Sequence, residues 1–386
     1  MKKNILFLGT HGQKNWGDEL LLESFLYNLK EVGNLTVNSY DPEETTKLFG
    51  VKAFHTTKNP LNIIWQIFKS DLVFFGGGNI VKELYVEYGG QRYSTLQKLK
   101  ILTFVSKYIF GKKVIFSNIG IGPIETEKGL QYALDILQVG DLISFRDTES
   151  VKYAQKIKLK REFDSLPDVV FSLDRQYFDL PLVNDASSKI ENIKDLKKVG
   201  VNLCRNIAKS ENWDYFIESL SADILKLHEL NKEIEFIGIP MQRDAATNDD
   251  YQALNEFFTN LTKSAPNLKY DIIKPNSVKD IVLVLNGLDL VIAERLHILI
   301  LSTVLSIPYV GLEYDIKVTA LLKDLGLSEY GVAICEKFES GSILERVENI
   351  TKDYQNHKTK LSKVYNIKHN LMVDFFAKVK SFINKN

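Results

Sequence analysis

Short apolar runs separated by amphipathic stretches recur along the chain. Residues 4–33, "NILFLGTHGQKNWGDELLLESFLYNLKEVG", pass from a β-type apolar run through a glycine-containing loop into a helical pattern that stops near Gly33. "LTVNSYD", "DLVFFGGGN", "KKVIFSNIGIGP" and "DLISFRD" follow as further apolar runs. Each ends in glycine, asparagine or a charge, and each is separated from the next by room for a helix. Strands that are apolar throughout are buried on both faces, so the pattern predicts an α/β fold with a parallel sheet covered by helices.

From about Arg175 to Lys197 the pattern weakens into mixed polar sequence, and regular alternation resumes at "KKVGVNLCRN". "IEFIGIPMQ", "LKYDIIK", "LDLVIAE" and "PYVGLEYD" then read as the strands of a second α/β domain, with "NWDYFIESLSADILKLHEL" and "DYQALNEFFTNLTK" as helices between them. The expected organisation is an N-terminal domain over 1–175, a linker over 176–196, a second domain over 197–345 and a helical, lysine-rich tail over 346–386. A length of 386 residues fits two domains better than one ordinary core. Two open α/β domains in one chain are expected to enclose a cleft, because ligands of such sheets sit outside the carboxyl ends of the strands.

Composition narrows the function classes. Forty-nine basic residues balance forty-nine acidic ones, so no global field gathers nucleic acid or an anionic membrane, and any anion must be bound locally. Cys204 and Cys335 lie far apart without metal-ligand spacing, which argues against a zinc site and a disulfide scaffold and for a reducing compartment. After Lys2 and Lys3, the apolar run Ile5 to Leu8 is too short for a signal peptide or a membrane span. A cytoplasmic protein is expected.

The chemistry gathers at the predicted strand ends. In "GTHGQKNWGDE", Gly9, Gly12 and Gly17 permit close backbone approach, Asn15 is placed to cap the following helix, and Asp18 and Glu19 fall in its first turn. The spacing does not match a dinucleotide-binding fingerprint, and capping alone would account for Asn15 and Asp18 as well as a catalytic role would. "FFGGGN" has three glycines, Gly76, Gly77 and Gly78, before Asn79, more than a tight turn needs, which suggests backbone lying against a ligand or another segment. "SFRDTES" puts Arg146 at another strand end, facing a cleft or pairing internally with Asp147.

The most apolar segment, "ERLHILILSTVLSIPYVGLEYDIK", contains Arg295, His297 and Lys317. Burying an unpaired charge costs several kcal/mol. "LDLVIA" reads as a strand and "HILILSTVLS" as a helix, so Arg295 and His297 fall at a helix N-terminus, where the dipole and free N–H groups favour an anion. Together with Lys317 at the next strand end and Arg146, they suit a small dianion or trianion. Glu294 or Glu313 would instead neutralise them internally.

In order along the chain, Gly9 to Glu19, the Gly76 to Gly78 run, Gly120 to Pro123, the Arg146 to Ser150 element, "PDVVF" at Pro167 to Phe171, Arg295 to His297 and Pro308 to Lys317 resemble the motifs of the polysaccharide pyruvyl transferases. The resemblance implies a GT-B-like fold, two Rossmann-like domains facing across a cleft. It also implies transfer of a pyruvyl group from phosphoenolpyruvate to two hydroxyls of a sugar, forming a cyclic ketal and releasing phosphate. By this resemblance Arg295, Lys317, His297 and Arg146 contact phosphoenolpyruvate. Ketal chemistry needs a proton on the methylene carbon and a base for the attacking hydroxyl, so His297 is the candidate acid or a phosphate stabiliser and Asp18 the candidate base, with Asn15, Gly17, Glu19 and Gly76 to Asn79 as acceptor-side or loop residues.

Phosphoenolpyruvate is a co-substrate, no further cofactor or metal is expected, and no acidic divalent-metal motif is present. The acceptors implied are sugars of polysaccharides or lipid-linked precursors, which brings in transient contact with the inner face of a membrane. Two other readings share these features: a GT-B glycosyltransferase using a nucleotide sugar, and a noncatalytic protein that binds a glycan or an anion.

Overall fold

A computed structural model describes residues 2–84, 91–180, 189–204, 210–243, 249–314, 316–334 and 340–385, so Cys335 and residues 181–188 of the expected linker lie outside the described residues. By contacts the chain divides into two units, Met1–Ser172 with Lys368–Asn386, and Leu173–Ile367.

The first unit alternates strand and helix: β1 (Lys3–Leu8), α1 (Trp16–Leu29), β2 (Gly33–Ser39), α2 (Pro42–Phe49), β3 (Lys52–His55), α3 (Pro60–Lys69), β4 (Leu72–Gly76) and α4 (Ser94–Phe104). A π-helical turn (Val105–Ile109) extends α4, and β5 (Lys113–Ile119), α5 (Glu127–Leu137), β6 (Leu142–Phe145), α6 (Thr148–Lys156) and β7 (Asp164–Ser165) follow. The seven strands are parallel in the order β3-β2-β1-β4-β5-β6-β7. Chain order therefore reverses between β1 and β4, and the adjacent loops there leave in opposite directions.

The second unit repeats the plan with β8 (Lys198–Asn202), α7 (Ser210–Leu230), β9 (Glu235–Gly238), α8 (Asp250–Ser264), β10 (Lys269–Ile272), α9 (Val278–Leu285), β11 (Leu290–Ala293) and α10 (Leu296–Leu305). It continues through β12 (Tyr309–Glu313), α11 (Ile316–Leu325), β13 (Gly331–Ala333) and α12 (Ser342–Lys352) into α13 (Tyr354–Lys385). Its parallel sheet runs β10-β9-β8-β11-β12-β13, with the switch between β8 and β11.

Local sequence explains where many helices begin. Asn15, Thr126 and Asp147 each accept a hydrogen bond from a main-chain N–H of the first helical turn they precede, and Ser277 with Asp280 forms a capping box. Pro42 and Pro60 occupy first-turn positions, where no N–H is needed.

Strand alternation sends aromatic rings to both faces of the first sheet. Phe7, Phe25 and Phe74 pack with centroids 5.1 to 5.6 Å apart under α1, while Phe75 stacks on Phe116 at 5.1 Å. That second face also buries Ile67 of α3 and Leu96 of α4. The expected linker and tail distribute between the units. Ile193 of the linker accepts from Asn231 Nδ2 at 3.1 Å within the second, and the end of α13 packs with the first through Phe376 on Phe25 and Lys378 on Asp164. Among the described residues no helix is long and apolar enough to cross a membrane.

Phe74→Ala is expected to lower unfolding stability by about 3–5 kcal/mol through the cavity it leaves. Leu61→Ala, at a site 78% exposed, should change it by about 0.5 kcal/mol or less. Urea titrations of both variants measure the contrast.

Candidate active site

In the first unit the loop after β1 folds back over the start of α1. Asn15 caps the helix by accepting from Gly17 N at 2.9 Å, and buried Glu19 accepts from Gly12 N at 2.7 Å, so these two side chains fix the loop. Asp18 is half-buried in the first helical turn, where the positive end of the dipole favours its carboxylate. His11 is 2% exposed and stacks on Phe7 at 5.5 Å. Burial lowers its pKa to about 3, against the main chain of Asp18, so the imidazole is neutral at physiological pH.

The three glycines after β4 answer to different constraints. A side chain on Gly76 would strike the ring of Phe7, and Gly77 and Gly78 adopt φ of +69° and +70°. A Cβ on Gly78 would lie 3.4 Å from Thr10 Oγ1 and 4.0 Å from Asp18 Oδ1. The glycine run therefore brings bare backbone up to the candidate base across the β1/β4 switch point.

Asn79 then ties three loops together. Its amide donates to the carbonyl of Gly122 at 3.0 Å, and its Oδ1 accepts from Arg146 Nη2 at 2.6 Å. Arg146 also meets Asp168 at 3.3 Å and Asp147 at 3.5 Å, while Asp147 caps α6 through Ser150. Arg146, a candidate donor contact in sequence, is thus held in the first unit by an internal cluster that joins the "PDVVF" segment to the glycine loop. Glu83, beyond the same loop, accepts from Glu125 N and Thr126 N at the start of α5.

In the second unit the candidate residues collect at the β8/β11 switch. Arg295 is the N-cap of α10, His297 lies half-buried in the first turn, and the N–H of Arg295 is fixed by Asn202 Oδ1 at 2.8 Å. Lys317 is exposed at the start of α11, which follows β12, the parallel neighbour of β11.

The carboxylate that neutralises Arg295 comes from α8. Fully buried Asp250 accepts from Arg295 Nη2 at 2.6 Å and Nε at 3.1 Å, and also from Met241 N and Gln242 N. Burial would lower the Arg295 pKa, but Asp250 raises it, so the guanidinium stays charged. Two of its five N–H donors are committed to Asp250. Glu294 accepts from the Cys204 N–H. Burial pushes its pKa up to about 8 against that bond and Arg295, so it is mostly protonated at neutral pH.

The fold thus assembles two clusters, one in each unit. Asn15, Gly17, Asp18, Glu19, Gly76 to Asn79 and Arg146 belong to the first, and Arg295, His297 and Lys317 to the second. Sequence reasoning missed Asp250, Asn202 and His11. Asp250 carried a signal, since an acidic pair opening a helix beyond "IEFIGIPMQ" is a strand-end carboxylate. Among the described residues there is no group of three or more His, Cys, Asp or Glu side chains that would hold a metal.

Two measurements follow from this geometry. A raised carboxyl pKa means the folded state binds a proton that the unfolded state has released, so Glu294 contributes fully below the ordinary carboxyl value of 4.5 and loses that contribution as pH rises through about 8. Melting temperature should therefore fall over that window, and Glu294→Gln should flatten the profile. Asp250→Asn should cost about 3–5 kcal/mol in a urea titration, and Asp250→Asn combined with Arg295→Met should recover part of the loss.

The model of the polysaccharide pyruvyl transferase family matches residues 15–316. No curated protein is significantly similar to the chain in sequence. Among solved structures, Anabaena HepE in complex with UDP is similar at 12% identity with a TM-score of 0.63, over 99% of this chain and 100% of that one. Neisseria meningitidis UDP-GlcNAc 2-epimerase bound to UDP-GlcNAc is similar at 10% identity and 0.60, over 97% and 99%. S. aureus MnaA with UDP gives 11% and 0.62, over 100% and 97%. These likenesses show the fold, a GT-B-like two-domain α/β architecture. With its family model covering most of the chain, from the cap of α1 to the start of α11, this protein belongs to the polysaccharide pyruvyl transferase family.

Proposed function

We propose that the chain transfers the pyruvyl group of phosphoenolpyruvate to two hydroxyls of a sugar, in a polysaccharide or lipid-linked precursor, forming a pyruvate ketal and releasing phosphate. The observation that carries this reading is Arg295, held charged at a helix N-terminus by the bidentate Asp250 contact. A planar fork suits a carboxylate or phosphate, and the ammonium of Lys317 adds a point charge at the neighbouring strand end.

The reaction adds a proton to the methylene carbon of phosphoenolpyruvate, which makes C2 electron-poor. One sugar hydroxyl attacks C2 and loses its proton, and the second displaces phosphate at the same carbon, its proton leaving with the phosphate. His297 supplies the proton or stabilises the phosphate, and Asp18 takes the proton of an acceptor hydroxyl. Arg146 acts by holding the glycine loop on the acceptor side. A donor from central metabolism sets the reaction on the cytoplasmic side, and no resident cofactor enters it.

Thermal unfolding with phosphoenolpyruvate tests the donor. At a hundred times the dissociation constant the ligand adds about 2.7 kcal/mol, and the gain should vanish in Arg295→Ala relative to that variant's own baseline. Stabilisation by a uridine nucleotide sugar alone would overturn the reading. For the chemistry, phosphate release that depends on a glycan acceptor should fall about a hundredfold or more in Asp18→Asn.

A further inference from the structure

Two helices of the first unit carry more apolar surface than the core uses. α3 turns Ile63, Ile64 and Ile67 inward against the sheet, and α4 does the same with Leu96, Leu99 and Leu102. Each also has a second apolar stripe that faces outward, at i, i+4 and i+7 in α3 and at i, i+3 and i+7 from α4 into the π turn. Leu61, Trp65 and Phe68 form one stripe, and Ile101, Phe104 and Tyr108, the last on the π turn, form the other. All six are 50–78% exposed. Trp65 stacks on Phe68 at 5.5 Å, Phe68 meets Phe110 edge-on at 5.6 Å just past the π turn, and Phe104 lies 5.2 Å from Tyr108. α3 and the π turn are in contact, so the stripes adjoin. A contiguous exposed apolar surface of this kind is a contact site rather than ordinary surface.

Charge identifies what it touches. Residues 45–70 contain four lysines, and residues 91–124 contain five lysines and one arginine, while neither segment has an aspartate or glutamate. The rest of the chain supplies the balancing acids, so overall neutrality hides a basic region around the apolar stripes. Lys69 Nζ sits 4.6 Å over the Trp65 ring, and Lys112 Nζ donates to the Phe68 carbonyl at 3.0 Å. Lys58 and Lys98 are exposed on the same two segments. Lys100, Lys107 and Lys113 are offset by Asp135 and Asp141, and Arg92 by Glu83 and Glu125, which leaves Lys58, Lys69, Lys98 and Lys112 as the cations that border the stripes.

We propose that the outer faces of α3, α4 and the π turn dock on an anionic lipid surface. Aromatic side chains enter the headgroup boundary while the lysines around them meet lipid phosphates. A second copy of this chain fits less well, because self-association would bring two basic rims together. The inference stands on this surface alone and does not depend on the donor chemistry above.

Vesicle flotation of the full chain tests it, with phosphatidylcholine alone and mixed with phosphatidylglycerol. The chain should float with the anionic vesicles only, less so as salt rises, and its tryptophan emission should shift to the blue. Trp65→Phe should keep binding and lose most of the shift. Trp65→Ser with Phe104→Ser should weaken partitioning about tenfold or more, with melting temperature unchanged, and Lys58→Glu with Lys69→Glu should weaken it as well. No flotation with anionic vesicles at physiological salt, or equal flotation of the serine variant, would overturn the proposal. So would a solution dimer that the serine substitutions dissociate.

Discussion

The guanidinium of Arg295 sits at a strand end that excludes most water, and the second unit is built around the cost of keeping it charged there. Asp250 meets it with both oxygens and is itself held by the N–H groups of Met241 and Gln242. Asn202 fixes its main chain, and Glu294, one residue away, is pushed toward its neutral form. One charged pair beside one protonated carboxyl keeps the local sum near zero. Loss of any member leaves an unmatched group where water cannot replace it.

The first unit solves a different problem at the equivalent place. Its switch point is lined by backbone more than by charge, since Gly77 and Gly78 take positive φ and carry nothing that would fill the space before Asp18. Arg146 serves here as a clamp: Asn79, Asp147 and Asp168 surround it and so tie the glycine loop to the loops after β6 and β7.

Overall neutrality excludes a long-range field, but it says nothing about how charge is distributed over the surface. The two lysine-bearing segments flanking α3 and α4 show the difference, because a cation in one element and its balancing acid in another cancel only in the total.

What the sequence determined by itself was whatever depends on near neighbours in the chain. Alternating apolar runs set the two parallel α/β units, capping residues such as Asn15 set helix starts, and the position of Arg295 and His297 at a strand-to-helix turn followed from the apolar runs on either side. The ordered motifs pointed to the family. Tertiary structure decided the partners. Asp250 and Arg295 are 45 positions apart, Asn79 and Arg146 are 67 apart, and nothing local encodes either pairing. It also decided that the apolar positions of α3 and α4 divide between core and surface. A helix buries one side against its sheet, and whether a second apolar stripe is covered depends on what packs there, which the spacing of residues along one helix does not specify.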